Sequence, residues 1–190
     1  VALIAMLITV ENGYQAALMA PTEILAEQHY LTLHHWLESL GANVALLKKN
    51  KKSREKQEIS EQIRNGDIDI IVGTHAIIQD NIRFARLGFV VVDEQHRFGV
   101  LQRSDLIKKG KYPDVLVMTA TPIPRTLALT LYGDLDVSIL NELPKGRQPV
   151  QTVWRGENKR EAIYQFIHAE VKQGRQAYIV YPFVEESEKS

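Results

Sequence analysis

The sequence has no cysteine among its 190 residues. This absence excludes disulfide bonds and thiolate metal sites, and it fits a reducing compartment such as the cytoplasm. The 23 Lys and Arg residues balance the 23 Asp and Glu residues. The chain therefore has no overall basic field, and any contact with nucleic acid must come from local patches. No apolar run approaches the ~20 residues that span a bilayer, so we expect no membrane partner.

The first residues also lack the features of a normal helix start. Residues 1–8 (VALIAMLI) have no cap, no initiator Met and no polar face, and Asn12 and Gly13 supply a C-terminal stop. They are typical of a buried helix that is entered part-way along. We therefore expect the chain to be a fragment of a longer protein.

Short apolar runs alternate with longer amphipathic segments. The runs predicted to be strands are 16–20, 44–47, 68–72, 89–92, 115–118 and 178–181. Most are apolar on both faces, as buried parallel strands are. Helix patterns at 33–40, 53–65 and 163–171 each end near a glycine. This alternation indicates an α/β fold, with a mostly parallel sheet and helices on both faces.

The pattern breaks at residues 144–150, where prolines and a glycine indicate a linker. We predict one domain at 1–143 and the beginning of a second at 151–190. The second part predicts one strand, one helix and one further strand. That is too little for an independent core, so we expect it to be incomplete.

Polar residues follow four of the predicted strands. They are Pro21-Thr22-Glu23, Gly73-Thr74-His75, Asp93-Glu94-Gln95-His96 and Thr119-Ala120-Thr121-Pro122. Because ligands of open parallel sheets bind at the carboxyl ends of the strands, we expect these clusters to gather along one edge.

Asp93 and Glu94 are the most specific of these residues. Two adjacent carboxylates at the end of a buried strand are costly unless they are paired, and a divalent cation that bridges nucleotide phosphates would offset the cost. The first carboxylate could hold Mg²⁺ through water, and the second could orient or deprotonate an attacking water. Alternatively, Asp93 only caps the next turn and Glu94 is solvated, since such short matches often arise by chance.

Six segments together resemble superfamily 2 helicases, and among these the RecG family of bacterial branched-DNA helicases. They are motif Ia at 20–29 (APTEILAEQH), motif Ib at 72–76 (VGTHA), the motif II or Walker B box at 93–99 (DEQHRFG), an extended motif III at 119–126 (TATPIPRT), and the segments 132–136 (YGDLD) and 143–149 (LPKGRQP). The transcription-repair coupling factor shares RFG and TPIPRT. The Gln95-His96 ending and the YGDLD segment favour the RecG family.

The resemblance implies a RecA-like fold and a monomeric bacterial enzyme at the nucleoid that uses ATP and Mg²⁺ to move on duplex or branched DNA without reading its sequence. Asp93 would coordinate Mg²⁺ and Glu94 would position the hydrolytic water. Gln95 and His96 would communicate with a coupling segment formed by Thr119, Thr121 and Arg125. The residues implied to contact the DNA backbone are Pro21, Thr22, Thr74 and His75.

Simpler interpretations remain open for several of these residues. Thr22 alone is typical of a helix N-cap, and Thr121 before Pro122 has the same chemistry, although a helix N-terminus can also bind phosphate. The lysine-rich segment 48–52 could be a DNA patch, but it lies between elements and lacks interleaved aromatics, which favours a solvated loop. His29, His34 and His35 share one predicted helix, but no acidic or cysteine partner completes a metal spacing.

The sequence contains no phosphate-binding loop of the form Gly-x-x-x-x-Gly-Lys-Ser/Thr. The family carries this loop just before the helix in which Val1 lies, so we expect the sheet to lack its first strand and that loop. We accordingly predict that the chain alone neither hydrolyses ATP at a useful rate nor unwinds DNA. A different hypothesis is a RecA-like interaction module without hydrolytic activity, against which the Asp93-Glu94 pair argues.

Overall fold

The computed structural model describes residues 1–48, 53–94, 105–120, 136–142, 144 and 146–181. The chain divides into two units, Val1–Leu135 and Asp136–Ser190. We describe each unit by itself.

A five-stranded parallel sheet forms the centre of the first unit. Its order is β2-β3-β1-β4-β5, with β1 Gln15–Met19, β2 Val44–Leu47, β3 Ile70–Gly73, β4 Leu87–Val92 and β5 Asp114–Val117. Five of the six predicted strands are therefore confirmed, with ends that differ by up to two residues. In the register of the sheet, Leu18 of β1 lies opposite Val72 on one side and Val91 on the other.

Helices cover both faces of this sheet, as predicted. They are α1 Ala2–Glu11, α2 Glu23–Leu37 and α3 Ser53–Asn65, with 3-10 turns at Glu38–Leu40 and His75–Ile78. Met6 of α1 and Leu33 and Leu37 of α2 share one buried cluster with Leu18. Ile63 of α3 lies in the cluster on the other face. Alternate residues of each strand face the two clusters, which explains why these strands are apolar throughout.

Helix α1 is less buried than its sequence predicts. Only Met6 is fully buried, whereas Ile4 and Ile8 are 61% and 55% exposed. The prediction of a wholly buried helix is wrong because α1 lies on the surface of the sheet and packs one face against it. Its predicted end is confirmed, since α1 stops at Glu11 and Gly13 has a φ of 76°.

Gln15 fixes the start of β1 through a set of buried hydrogen bonds. Its Nε2 donates to the carbonyl oxygens of Ile63 and Ile68, at 2.9 and 2.7 Å. Its Oε1 accepts from the backbone amides of Ala85 and Arg86, at 2.8 and 3.1 Å. One side chain thus bonds four backbone groups, in the last turn of α3, in the segment before β3 and in the segment before β4, and this holds these parts together at the amino end of the sheet.

The second unit contains the 3-10 turn Glu157–Lys159 and the helix α4 Arg160–Lys172. The helix was predicted, and Gly174 follows it with a φ of 81°. The strand predicted at 178–181, and the one expected before the helix, are wrong: residues 146–156 and 175–181 contain no strand. A strand needs a neighbour for its backbone hydrogen bonds, and these described residues have none.

Candidate functional site

The carboxyl ends of neighbouring strands are joined beyond the last strand residues. The amide of Ala20 donates to Gly73, and the amide of Asp93 donates to Met19, both at 2.9 Å. The amide of Met118 donates to Val92, also at 2.9 Å. These bonds continue the ladders past β1, β4 and β5. The described residues of the four predicted polar clusters therefore follow strands that end at one edge of the sheet.

Asp93 is the best-defined side chain at this edge. Its carboxylate is 17% exposed, and both oxygens are engaged. Oδ1 accepts from the backbone amide of Glu94 at 3.0 Å, and Oδ2 lies 2.7 Å from Nε2 of His29. The hydrogen bond from His29 holds the pKa of Asp93 below its usual range, and this outweighs the opposing effect of burial. Asp93 is therefore a carboxylate at neutral pH.

The backbone turns sharply directly after Asp93. Glu94 has a φ of 48°, in the left-handed region that residues other than glycine seldom occupy. Such a conformation costs on the order of 1–3 kcal/mol and persists only where the surroundings impose it. The Glu94 side chain is half-buried. Two carboxylates thus end the same strand.

The residues after β1 form the start of α2. Oγ1 of Thr22 accepts from the amide of Leu25 at 3.3 Å, so the N-cap interpretation of Thr22 is confirmed. Thr22 is exposed and Pro21 is half-buried. The first amides of α2 point out of this end of the helix, where the helix dipole favours an anion.

After β3, Thr74 is only 7% exposed, and His75 on the following 3-10 turn is exposed. The turn is closed by the amide of Ile77, which donates to Thr74 O at 3.2 Å. Of the two residues predicted to contact DNA here, His75 is therefore the one whose side chain reaches the surface. Thr119, two residues after β5, is also exposed.

Four predicted site residues lie outside the described residues: Gln95, His96, Thr121 and Arg125. Their roles stay predictions.

His29 contacts Asp93, although the sequence indicates no such contact. The residue ends motif Ia and shares its predicted helix with His34 and His35. Among the described residues no three His, Cys, Asp or Glu side chains are arranged to hold a metal ion. Instead, His34 lies 4.0 Å from Glu38, directly after its own helix, whereas His29 crosses to Asp93 at the end of β4. The spacing within α2 gives no signal for this contact, because it depends on how α2 packs across the sheet.

The lysine-rich segment after β2 is described only at Lys48. Nζ of Lys48 lies 3.0 Å from Oε1 of Glu27, and both side chains are partly exposed. This surface ion pair agrees with the solvated-loop interpretation at that position. Such pairs contribute about 1 kcal/mol or less to stability.

Comparison with known proteins places this geometry in a family. Residues 1–130 match the model of the DEAD/DEAH box helicases, which covers more than half of the chain. The chain belongs to the DEAD/DEAH box helicase family. The matched residues include motif Ia, motif Ib and the Asp93-Glu94 pair. No described helix of this family member is both long enough and apolar enough to cross a membrane.

Within the family, the chain is similar over its whole length to proteins named ATP-dependent DNA helicase RecG. It is 55% identical to the one from Synechocystis and 52% identical to the one from Bacillus subtilis. In each case all of the chain is matched, but only 23% and 28% of the relative. The chain therefore spans about a quarter of the length of these curated relatives.

A solved structure of RecG bound to a three-way DNA junction is also similar to the chain. It is 46% identical with a TM-score of 0.77, over 97% of this chain and 25% of that one. These similarities confirm both the resemblance to the RecG family and the RecA-like fold predicted from the motifs.

Proposed function

We propose that this chain is part of the motor of an ATP-dependent DNA helicase that remodels branched DNA such as stalled forks and four-way junctions. The observation that carries the proposal is the Asp93-Glu94 pair at the carboxyl end of β4, beside the ends of β1 and β5. Similarity to RecG helicases over the full chain supports the choice of DNA as the partner.

The donor set at this edge fits a magnesium ion bound together with ATP. Mg²⁺ retains several waters and takes one or two carboxylates, the phosphates supplying its other ligands. Asp93 offers one ionised, oriented carboxylate, as such a site requires. When bound, the ion would neutralise charge that develops on the transferred phosphate.

Each residue of the pair has a separate role in this proposal. Asp93 holds the metal, directly or through water. Glu94, the next residue along the chain, orients the attacking water and accepts its proton. Gln95 and His96 carry the state of the nucleotide to the coupling segment of Thr119, Thr121 and Arg125. In this proposal the phosphate-binding loop is supplied by a part of the parent protein outside this chain, which spans about a quarter of the length of its relatives.

The DNA track runs along the same edge. Thr22 and Pro21 lie at the amino end of α2, where the helix dipole attracts a phosphate. His75 reaches the surface at the neighbouring strand end, next to Thr74. Such contacts hold the DNA backbone and read no base sequence. We propose that the protein acts on chromosomal DNA in the bacterial cytoplasm.

The test is ATP hydrolysis by the full-length protein that contains this chain, with and without a branched DNA substrate. We expect DNA to stimulate hydrolysis and Glu94→Gln to remove the stimulated rate, because the amide cannot accept the proton from water. Glu38→Gln is the matched control, since Glu38 is exposed at the far end of α2. A full-length protein with no DNA-stimulated hydrolysis would instead support a RecA-like module without hydrolytic activity.

A further inference from the structure

His29 stands apart from the other histidines of α2 because its partner is on another element. Its Nε2 lies 2.7 Å from Oδ2 of Asp93, and the two residues are 64 positions apart in the chain. The carboxylate can only accept, so Nε2 is the donor in this bond. The His29 side chain is 30% exposed and that of Asp93 17%, so the bond is partly shielded from water and worth more than a surface ion pair.

The bond leaves Asp93 with little rotational freedom. Oδ1 is held by the amide of Glu94 at 3.0 Å, and Oδ2 is held by His29. The backbone of Asp93 is fixed by the hydrogen bond from its amide to the carbonyl oxygen of Met19. A carboxylate held at both oxygens keeps its remaining lone pairs in fixed directions. Residues that do not bind a metal themselves commonly orient a metal ligand through such hydrogen bonds.

We propose that His29 is a positioning residue that orients the Asp93 carboxylate for Mg²⁺ bound with ATP. This inference rests on the proposed function, since it assigns the metal to Asp93. It adds His29, a motif Ia residue on α2, to the nucleotide site. His29 lies seven residues after the N-cap Thr22, which corresponds to about 10 Å along a rigid helix. The helix that begins at the predicted DNA track therefore also contacts the metal carboxylate.

The test measures how much magnesium strengthens nucleotide binding to the full-length protein. A fluorescent ATP analogue is titrated in Mg²⁺ and in EDTA, and the ratio of the two dissociation constants is the magnesium gain. His29→Ala removes the donor, and His29→Phe removes it while keeping the bulk of the ring in case the alanine variant folds poorly. His29→Gln keeps an amide donor near the position of Nε2. His34→Ala is the matched control, since His34 contacts Tyr30 of its own helix and Glu38 directly after it.

We expect His29→Ala and His29→Phe to lower the magnesium gain about tenfold, the lower end of what loss of such an orienting partner costs. Binding in EDTA should stay as in the wild type, His29→Gln should keep most of the gain, and His34→Ala should keep all of it. In steady-state hydrolysis, the same two variants should need more magnesium for half-maximal rate.

Two outcomes would overturn the inference, and Asp93→Asn then separates it from the proposed function. Wild-type affinity in both Mg²⁺ and EDTA for His29→Ala and His29→Phe shows that Asp93 needs no orienting partner. Equal weakening in Mg²⁺ and EDTA shows that His29 only supports the fold. If Asp93→Asn also leaves the gain unchanged, the metal is not held at Asp93 and the proposed function fails with it. If Asp93→Asn loses the magnesium gain and both His29 variants keep it, the role of His29 is rejected and the proposed function is retained.

Discussion

The backbone amide of Asp93 donates a hydrogen bond to the carbonyl oxygen of Met19 at 2.9 Å, one residue beyond the end of β4. This bond ties the carboxylate strand to β1, whose next residues begin the α2 helix. The predicted nucleotide residues Asp93 and Glu94 and the predicted DNA residues Pro21 and Thr22 therefore follow two adjacent strands.

Replacing Gln15 should destabilise the first unit strongly. Gln15→Leu removes the only side chain that bonds the carbonyls of Ile63 and Ile68 and the amides of Ala85 and Arg86 within the described contacts. The carbonyl of Ile63 keeps the amide of Gly66 as a partner, but the other three groups lose this bond. Buried groups left without partners each cost on the order of 1–3 kcal/mol, although water can satisfy some of them, so we expect a loss of about 3 kcal/mol. Urea unfolding of the purified chain measures it.

The matched control for this change is Gln28→Leu, because Gln28 is exposed on α2. It should alter the free energy of unfolding by less than ~0.5 kcal/mol. Equal effects of the two substitutions would show that the four bonds of Gln15 contribute nothing specific.

Two substitutions of Thr22 should distinguish its role in helix capping from its predicted contact with DNA. Thr22→Ala removes the acceptor for the Leu25 amide and should cost about 1 kcal/mol in unfolding free energy. Thr22→Asp keeps a cap but adds a negative charge where the DNA phosphate is predicted to lie. It should keep stability while weakening DNA stimulation of ATP hydrolysis in the full-length protein. Undiminished stimulation in Thr22→Asp would argue against a phosphate at this helix end.

The contribution of Asp93 to stability should depend on pH. Its pKa is depressed in the folded state, so the stabilisation is fully present above the unfolded pKa of about 3.9 and is lost as the pH falls through the lower folded pKa. The stability lost in Asp93→Asn should therefore be largest above about pH 5 and should shrink below it. Paired unfolding curves of the two proteins from neutral to acid pH check this. A stability difference between the two proteins that grows as the pH falls would contradict a depressed pKa of Asp93.

The 190-residue chain by itself should not hydrolyse ATP at a useful rate or unwind DNA. It carries the carboxylate pair but no Gly-x-x-x-x-Gly-Lys-Ser/Thr loop to hold the β- and γ-phosphates. The full-length protein is the positive control in the same assay. Hydrolysis by the isolated chain that DNA stimulates and Glu94→Gln removes would show that the chain has another means of holding the phosphates.

Much of the first unit could be predicted from local pattern. Its five strands are short and apolar on both faces, and residues that end a helix, such as Gly41 and Gly66, mark the boundaries. Burial of individual helix residues was harder to predict, because composition does not show which face meets the sheet. Ile4 and Trp36, both 61% exposed, are examples. In the second unit, an apolar run at 178–181 looked like a strand but has no neighbour to pair with among the described residues.

In the candidate site, too, local features could be predicted from the sequence and contacts that depend on packing could not. The position of Asp93 at a strand end follows from sequence, because an apolar run stops there. The contact with His29 does not, since it joins residues 64 positions apart through the packing of α2 on the sheet. The four hydrogen bonds of Gln15 are also non-local. A polar residue at the first position of an apolar strand was the only available signal.

The most direct test of the account is remodelling of a synthetic four-way DNA junction by the full-length protein that contains this chain. We predict conversion of the junction to duplex products with ATP and Mg²⁺. Conversion should be absent in EDTA and lost in Glu94→Gln, while Glu38→Gln behaves as the wild type. Junction conversion that proceeds without ATP, or that survives Glu94→Gln, would contradict the claim that Asp93 and Glu94 drive an ATP-dependent DNA helicase.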